Sequence, residues 1–272
     1  MVRHNLSAPT SRNRLLAALP AGDFARLWPL LERVELPLHR ILDVPNQPIA
    51  AVHFPETGWV SMLAYLDGSD AVEVALVGRE GMVGLPLLLG ADQSSLEAMV
   101  QAPGTALRLG AGAFRDALGT SLALRALLSR YALAHHEQVA RTAACNARHR
   151  IEERLARWLL MAHDRAEGDK LPITNESVLM MLGVRRTGIA VATGMLTTAG
   201  LIRCDRGHVA VIDRPGLEAA ACDCYGTVQR SFKLLLGPVS GTEAEAAILS
   251  KTATMDPLWT AEASSWPEFR AG

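Results

Sequence analysis

The feature that most constrains the fold is a change of hydrophobic period close to residue 110. Over residues 34–109, turn-forming residues separate short apolar runs such as AAVHF, WVSMLAYL, AVEVALV and ALRL. Runs of this length and spacing predict short antiparallel strands in a small sandwich or roll, with Asp67 and Gly68 as the sharpest hairpin signal. From about Ala113 the period becomes helical and remains so for about fifty residues. The chain therefore combines a β module with a long helical segment.

The segments around this β module limit the class of protein. Residues 11–33 predict one or two short helices with an apolar face formed by Leu15, Leu16, Leu19, Phe24, Leu27 and Leu31. No apolar run approaches the ~18 residues of a transmembrane helix, and the basic N-terminus lacks the apolar stretch of a signal peptide. The four cysteines are too few and too bunched for a secreted disulfide scaffold. We expect a cytoplasmic protein without a membrane partner.

The long helix carries an apolar stripe that needs a surface to cover it. Its members recur at helical spacing and are Leu124, Leu127, Leu128, Tyr131, Ala134 and Gln138. A helix of this length is not expected to bury the whole stripe against its own β module, so the stripe predicts a homodimer interface. Asn146 precedes a new amphipathic pattern, and asparagine is a preferred N-cap, so a helix break and a domain hinge are predicted there.

Residues 173–213 contain the pattern of a helix-turn-helix followed by a β hairpin. Thr174 is the N-cap candidate of a short helix, Gly183 supplies the turn, and a second helix continues to near Gly200. Two short strands follow, LIRCD and HVAVID, which join at Arg206 and Gly207. A basic hairpin behind a second helix is typical of the wing of a winged helix, whose tip contacts the DNA backbone.

The charge of this region favours DNA as its partner. Residues 141–214 carry 12 basic against 8 acidic side chains, in a chain of net charge −1. Arg185 and Arg186 lie in the first turn of the second helix, where the helix dipole disfavours cations unless phosphate or guanine is the ligand. The residues expected to contact DNA are Thr174, Arg185, Arg186, Thr187, Gly188, Arg203, Arg206 and His208.

The order of β roll, long helix, hinge and winged helix resembles the Crp/Fnr family of bacterial transcription regulators. The matching stretches are FPETGWVSMLA at residues 54–64, NARHRIEERLARWLL at 146–160 and ITNES…LGVRRTGI…ML…AGLI at 173–202. The resemblance implies an α+β fold with an N-terminal antiparallel β roll like a cyclic-nucleotide-binding domain, a long dimerisation helix and a C-terminal winged helix-turn-helix. It also implies a homodimer on a palindromic operator, with RNA polymerase as a further partner.

The resemblance divides the chain into three parts. Residues 11–145 are the expected roll with its long helix, 146–236 the winged helix and 237–272 a disordered tail. In the second helix of the helix-turn-helix, Arg186 matches the family's guanine-reading arginine. Thr187 and Val191 replace a glutamate and a second arginine of the family pattern.

Departures in the roll exclude two effectors of the family. Gly84 matches the glycine of the Gly-Glu pair that holds the ribose of a cyclic nucleotide, but Leu85 stands in place of the glutamate. Residues 92–95 read Asp-Gln-Ser-Ser and lack the phosphate-binding arginine. Cyclic AMP is therefore excluded, because a buried phosphodiester without its cation is very costly. An N-terminal iron–sulfur cluster is excluded because the first cysteine is Cys145.

The effector is thus either an unknown small molecule or none. The candidate pocket residues are Gly84, Leu85, Ser94, Ser95, His135 and His136. The histidine pair either senses pH, a metal or an acidic ligand, or consists of one interface residue beside a solvated one. Cys204, Cys222 and Cys224 either form a thiol or metal site or are simply buried. Since three thiols without a near fourth ligand are a weak zinc pattern, we expect no metal and no cofactor.

Enzymatic function is the main rival class. The sequence contains no GxSxG, P-loop or HExxH motif and no obvious acid–base pair of carboxylates, so we expect no catalytic activity. A second alternative is a ligand-binding or protein-docking module that has lost DNA binding. Arg185 and Arg186 favour DNA binding over this alternative. In a module that only docks proteins, nothing would compensate the unfavourable placement of two cations at the positive end of a helix.

Overall fold

The computed structural model describes residues 10–66, 71–173, 178, 181–183 and 186–237, with the backbone alone at 186 and 187. Asp67, Gly68, Thr174 and Arg185 lie outside the described residues, as does the expected tail from residue 238 onward. Among the described helices, none combines the length and the apolar character needed to cross a membrane.

In the described residues, the N-terminal half contains short helices, seven strands and two longer helices. The helices are α1 (Arg14–Ala17), α2 (Ala21–Leu27), α3 (Leu85–Leu88), α4 (Ala111–Thr120) and α5 (Leu122–Arg148). The strands are β1 (Glu32–Leu36), β2 (Ile41–Asp43), β3 (Ala51–Pro55), β4 (Trp59–Tyr65), β5 (Ala71–Val77), β6 (Glu97–Ala102) and β7 (Gly104–Gly110). The predicted strands and the two N-terminal helices are therefore confirmed.

The strands form two antiparallel sheets that pack as a roll. One sheet has the order β1-β7-β3 and the other the order β2-β6-β4-β5. Since side chains alternate between the faces of a strand, each sheet turns one apolar face inward. The residues of the shared core are Leu36, Val60, Met62, Ala75, Val77, Val83, Ala98, Val100 and Ala106. The predicted antiparallel roll is confirmed.

The helical segment after the roll is two helices with a break at Ser121. The Ser121 hydroxyl accepts a hydrogen bond from the N–H of Leu124 at 3.0 Å. Serine is a preferred N-cap because this bond satisfies a free donor in the first turn. The break therefore defines the start of α5, and the fifty-residue helical period extends over α4, α5 and the following helix, Ile151–His163.

The break between α5 and the next helix, α6 (Ile151–His163), lies at residues 149–150. The prediction that Asn146 caps α6 is wrong, because Asn146 lies inside α5. The carboxylate of Glu153 caps α6 instead, by accepting a hydrogen bond from the N–H of Arg150 at 3.0 Å. The Asn146 side chain accepts a hydrogen bond from Nε of Arg154 at 3.1 Å.

The C-terminal half has the elements of a winged helix. Its further described elements are β8 (Lys170–Leu171), α7 (Arg186–Thr198), β9 (Ile202–Asp205), β10 (His208–Val211), α8 (Arg214–Ala220) and α9 (Cys224–Leu236). The three strands form an antiparallel sheet in the order β8-β10-β9. Val178, Met181 and Leu182 are helical, and Gly183 follows with a φ of 58°, which favours glycine. The predicted turn and wing are therefore confirmed.

The apolar stripe of α5 is buried within the chain itself. Each predicted interface residue is at most 3% exposed, namely Leu124, Leu127, Leu128, Tyr131, Ala134 and Gln138. Against the roll, the Tyr131 hydroxyl donates a hydrogen bond to the carbonyl of Met82 at 3.1 Å. On another side, Val228, Phe232 and Leu236 of α9 belong to the same apolar core as the stripe. The expectation that this stripe needs a partner chain is wrong, because the roll and α9 of the same chain cover it together.

The winged helix and the roll share a second core. Its members from the roll are Trp59, Leu76 and Ala102, and those from the winged helix include Leu155, Leu182, Ile189 and Leu196. A buried ion pair between Arg165 and Glu80, 2.6 Å apart, adds a polar link between the two halves. The winged helix is thus held against the roll of its own chain.

Candidate nucleic-acid interface

Helix α7 has an apolar inner face and an outer face that carries mostly small side chains. Ile189 and Leu196 are buried in the core, whereas Val191 and Gly194 are exposed. Apart from Met195, which is 46% exposed, the exposed side chains described on α7 are small, so the helix backbone can approach a DNA groove closely. Arg186 is the first described residue of α7, and residues 184–185 directly before it lie outside the described residues.

Gly188 lies where α7 packs on α6. A Cβ atom at this position would come within 2.9 Å of Cδ1 of Ile151. Glycine therefore permits the close approach of the two helices. Gly188 has this packing role, whereas the sequence pattern predicts a contact with DNA.

The wing is the hairpin formed by β9 and β10. His208 pairs with Asp205, which leaves Arg206 and Gly207 as a two-residue turn. Arg203, Arg206 and His208 are all exposed, so the three predicted wing contacts are open to a ligand. The carboxylate of Asp205 lies 3.3 Å from Nε of Arg203 and partly compensates its charge. The hairpin thus offers an exposed basic edge.

Not all basic residues of this region face solvent. Arg154, Arg157 and Arg165 are buried in the described structure. Arg214 donates a hydrogen bond to Asp164 at 2.7 Å. Part of the basic excess counted from the sequence is therefore structural, and the candidate interface depends on α7 and the wing.

The candidate effector residues of the roll are taken up by packing and local hydrogen bonds. Gly84 lies against Val52, since a Cβ atom at Gly84 would come 2.9 Å from Cγ1 of that residue. Leu85 is half-buried and packs on the apolar core. The Ser94 hydroxyl accepts a hydrogen bond from a backbone N–H at 3.0 Å, and Ser95 is exposed. The side chains of Leu85, Ser94 and Ser95 are apolar or carry a hydroxyl group, so none of them provides a positive charge that could bind a phosphate.

The two histidines of α5 differ in burial. His135 packs beside Tyr131 with ring centroids 5.9 Å apart, and burial lowers the pKa of His135 to about 4. His136 is exposed. Four cavities of about 200 to about 550 Å³ lie along the described residues, and none of the six effector candidates lines any of them. The histidines therefore do not act as the predicted pair in any of these cavities.

A cluster that the sequence pattern does not assemble lies close to α6. Cys222 and Cys224 meet Cys145 and His149, whereas Cys204 is exposed on the wing. The grouping is hard to see in the sequence because Cys145 and Cys222 are 77 residues apart. The Cys-x-x-x-His spacing of residues 145 and 149 is the local sign that a fourth ligand exists.

The helix-turn-helix region is similar to a known family. The family model of the Crp-like helix-turn-helix domain matches residues 153–220, which include α7, the wing and α8. Over 71% of this chain, the fold is similar to that of FixK2 from Bradyrhizobium japonicum, with 98% of FixK2 covered, 15% sequence identity and a TM-score of 0.61. The chain has a Crp/Fnr fold with a Crp-like helix-turn-helix domain. This combination supports a DNA-binding transcription regulator.

Two further solved structures share the Crp/Fnr fold. One is described as a transcriptional regulator of the Crp/Fnr family from Eubacterium rectale (16% identity, 79% of this chain and 97% of that chain, TM-score 0.60). The other is the c-di-GMP-responsive global regulator CLP of Xanthomonas campestris (18% identity, 71% of this chain and 99% of that chain, TM-score 0.53). No curated protein is significantly similar to the chain in sequence. At these identities the likeness establishes the fold, and the predicted resemblance to Crp/Fnr regulators is confirmed.

Proposed function

We propose that the chain is a transcription regulator that binds a palindromic operator as a homodimer. The observation that carries this proposal is the Crp-like segment, in which Arg186 belongs to α7 and the wing exposes Arg203 and Arg206. In a helix-turn-helix, the first residues of the second helix contact base edges in the major groove. Arg186 is assigned to a bidentate contact with guanine, and the wing arginines to phosphates.

The operator is proposed to differ from the family pattern where the recognition helix differs. Val191 is 64% exposed on α7 and stands where the family pattern has a second arginine. A valine offers methyl groups, which contact the methyl group of thymine but cannot donate to guanine. We therefore expect an A·T pair at the position that Val191 meets. Thr187 lacks the carboxylate of the family's glutamate and so cannot accept a hydrogen bond from cytosine in the same way.

The homodimer is proposed to form along the face of α5 that the chain leaves exposed. Exposed residues recur there at alternating spacings of four and three, namely Leu122, Ala126, Ser129, Leu133, His136, Ala140, Ala143 and Ala147. We call this set the α5 seam. The alternating spacing is the heptad pattern of a coiled coil. Leu122 and Leu133 are the largest apolar side chains of the seam, and the alanines allow two helices to approach closely.

The proposal includes either an effector other than cyclic AMP or no effector, and RNA polymerase as the second macromolecular partner. Leu85 and Ser94 supply neither the carboxylate that holds a ribose nor the cation that holds a cyclic phosphate. A buried phosphate without such a cation is strongly disfavoured. The regulator therefore responds to a different molecule or acts without one.

Selection of binding sites from random duplex DNA with the full-length protein tests the proposal. We expect a two-fold symmetric consensus whose half-sites are about one helical turn apart. Failure to enrich any sequence contradicts DNA recognition, and enrichment of a single asymmetric half-site contradicts the homodimer.

A further inference from the structure

Three cysteines and one histidine converge where the long helix ends and the last helix begins. Cys145 lies in the last turn of α5 and His149 just after it, while Cys222 and Cys224 flank the start of α9. The sulfur and nitrogen atoms of these four side chains all lie within 4.8 Å of one another. Two of the contacts are 3.5 Å long, between the sulfurs of Cys145 and Cys222 and between the Cys224 sulfur and Nδ1 of His149.

We propose that Cys145, His149, Cys222 and Cys224 bind one Zn²⁺ ion in a tetrahedral Cys₃His site. With Zn–S bonds of about 2.3 Å, a tetrahedron places its sulfurs about 3.8 Å apart, close to the 3.5 Å between the sulfurs of Cys145 and Cys222. Cys₃His is a donor set of structural zinc sites. The site does not depend on the proposed function, since it follows from these four side chains alone.

The geometry fits a single ion better than a cluster or a disulfide. An iron–sulfur cluster binds its protein ligands through several iron atoms, which holds the ligands further apart than a 4.8 Å limit allows. A disulfide between Cys145 and Cys222 would require the two sulfurs to approach from 3.5 Å to about 2.05 Å. It would also leave Cys224 and His149 without a role in the cluster.

The orientation of the histidine supports a metal ligand. Its Nδ1 faces the Cys224 sulfur, and its Nε2 lies 4.0 Å from Oδ1 of Asp223. Metal-binding histidines are commonly oriented by a carboxylate on the side of the ring away from the metal. Asp223 stands between Cys222 and Cys224 in the sequence, directly before α9, so the same turn supplies two ligands and the orienting carboxylate.

Two buried arginines supply the charge that such a site needs. Three thiolates and one Zn²⁺ carry a net charge of −1, and a buried negative charge requires compensation. Arg154 and Arg157 are 8% and 4% exposed, and both interact electrostatically with Cys145. Nε of Arg157 has no hydrogen-bond partner among the described residues. A zinc–thiolate centre gives these buried guanidinium groups an anionic neighbour.

The proposed ion fixes the winged helix relative to α5. Two of its ligands, Cys145 and His149, lie at the end of α5 and in the break at residues 149–150, and the other two, Cys222 and Cys224, lie at the start of α9. Arg154, next to the cluster, donates a hydrogen bond to the carbonyl of Leu182, directly before the turn of the helix-turn-helix. The ion would therefore hold the start of α9 against the break at residues 149–150. The site would also lie beside α6, the helix that supports the DNA-binding region.

Metal analysis of the full-length protein, purified under reducing conditions, tests the site. We expect about one zinc per chain, and after exchange a Co²⁺ protein with the intense visible absorption of a tetrahedral site and a thiolate charge-transfer band. Cys204→Ser is the matched control, since Cys204 is exposed on the wing, and it should keep its full metal content. Cys222→Ser should lower the zinc content at least tenfold.

A conservative variant separates loss of the site from loss of the fold. Cys222→His retains a donor and should still bind Co²⁺, with the charge-transfer intensity reduced by about a third because one of three thiolates is lost. The proposal is overturned if the wild-type protein binds no stoichiometric Zn²⁺ or Co²⁺. It is also overturned if the Co²⁺ spectrum is octahedral, or if Cys222→His leaves the thiolate band unchanged.

Discussion

The indole nitrogen of Trp158 lies 2.6 Å from Oε1 of Glu73 and donates a hydrogen bond to it, which links α6 to β5 of the roll. The Ser61 hydroxyl donates to the other oxygen of the same carboxyl group. Burial raises the pKa of Glu73 to about 7, although the two hydrogen bonds oppose the shift. The contact between the winged helix and the roll therefore contains a group that titrates near neutral pH.

We expect Glu73 to make the protein less stable as the pH rises from about 4.5 to about 7. In the unfolded chain this carboxyl group ionises near its ordinary pKa of 4.5, whereas in the folded chain it holds its proton until about 7. Each rise in pH across this window therefore stabilises the unfolded state relative to the folded state. The free energy of unfolding falls by roughly 3 kcal/mol in total. Glu73→Gln keeps a donor and an acceptor for both partners and removes the titration. Urea unfolding of both proteins at about pH 5 and about pH 8 measures the difference, and equal pH dependence in the two contradicts it.

Arg186→Ala should reduce operator affinity by about 1–3 kcal/mol per half-site and relax the preference for one guanine. The reason is that a bidentate contact with a base edge is lost while the phosphate contacts remain. Binding to a panel of operators with each position varied measures the change. Arg115→Ala is the control, because Arg115 is exposed on α4 and far from the helix-turn-helix in the chain. An even loss of affinity for all sequences would assign Arg186 to the backbone instead.

Arg203→Ala or Arg206→Ala should weaken binding to specific and non-specific DNA alike. Each substitution removes one phosphate contact per protomer, so the dependence of log K on log salt should become shallower by about 1 per half-site. Titrations over a range of salt concentrations give this slope. If either variant changed the preferred sequence while the salt slope stayed the same, the wing would be reading bases.

Leu133→Asp should disrupt dimer assembly but not folding, whereas Leu128→Ala should lower folding stability but not assembly. Leu133 is 48% exposed on the α5 seam, so a charge there should yield folded monomers and abolish tight operator binding. Leu128 is fully buried in the chain's own core, so its truncation should cost about 2–5 kcal/mol of folding free energy and leave the seam intact. Sedimentation and thermal unfolding distinguish the two results. A dimeric Leu133→Asp protein would place the interface elsewhere.

Cyclic AMP and cyclic GMP should not bind the roll at physiological concentrations. Leu85 and Ser94 offer no charged partner to the ribose and the phosphate, and desolvation of the phosphodiester is then uncompensated. Isothermal calorimetry should show no heat of binding, and neither nucleotide should change operator affinity. Binding of either nucleotide at micromolar concentration would contradict the prediction.

Local signals in the sequence were sufficient for most of the fold. The wing follows from two short apolar runs around Arg206 and Gly207, and the turn before α7 follows from Gly183. Each of these signals acts over a few residues, where backbone preferences decide the structure. The helix break was misplaced at Asn146 because the capping group is Glu153, which reaches back to the N–H of Arg150.

Long-range packing was not accessible from the same patterns. The stripe of α5 indicates a covering surface, but periodicity does not distinguish a second chain from the roll and α9 of the same chain. The cysteine cluster has the same difficulty, since Cys145 and Cys222 come together through the return of α9 to the end of α5. The side chains of Arg186 and Thr187, and the whole of Arg185, lie outside the described residues, so the predicted base contacts stay predictions.

Because α9 completes the core around α5, a single protomer is a finished folded unit before any partner arrives. In the proposed homodimer, folding and pairing along the α5 seam would then be separate equilibria, and only pairing would depend on how much protein the cell contains. While most of the protein is monomeric, the amount of dimer grows with the square of its concentration. The abundance of this regulator would then act as an input signal of its own, and a modest rise in expression would produce a steep rise in operator occupancy.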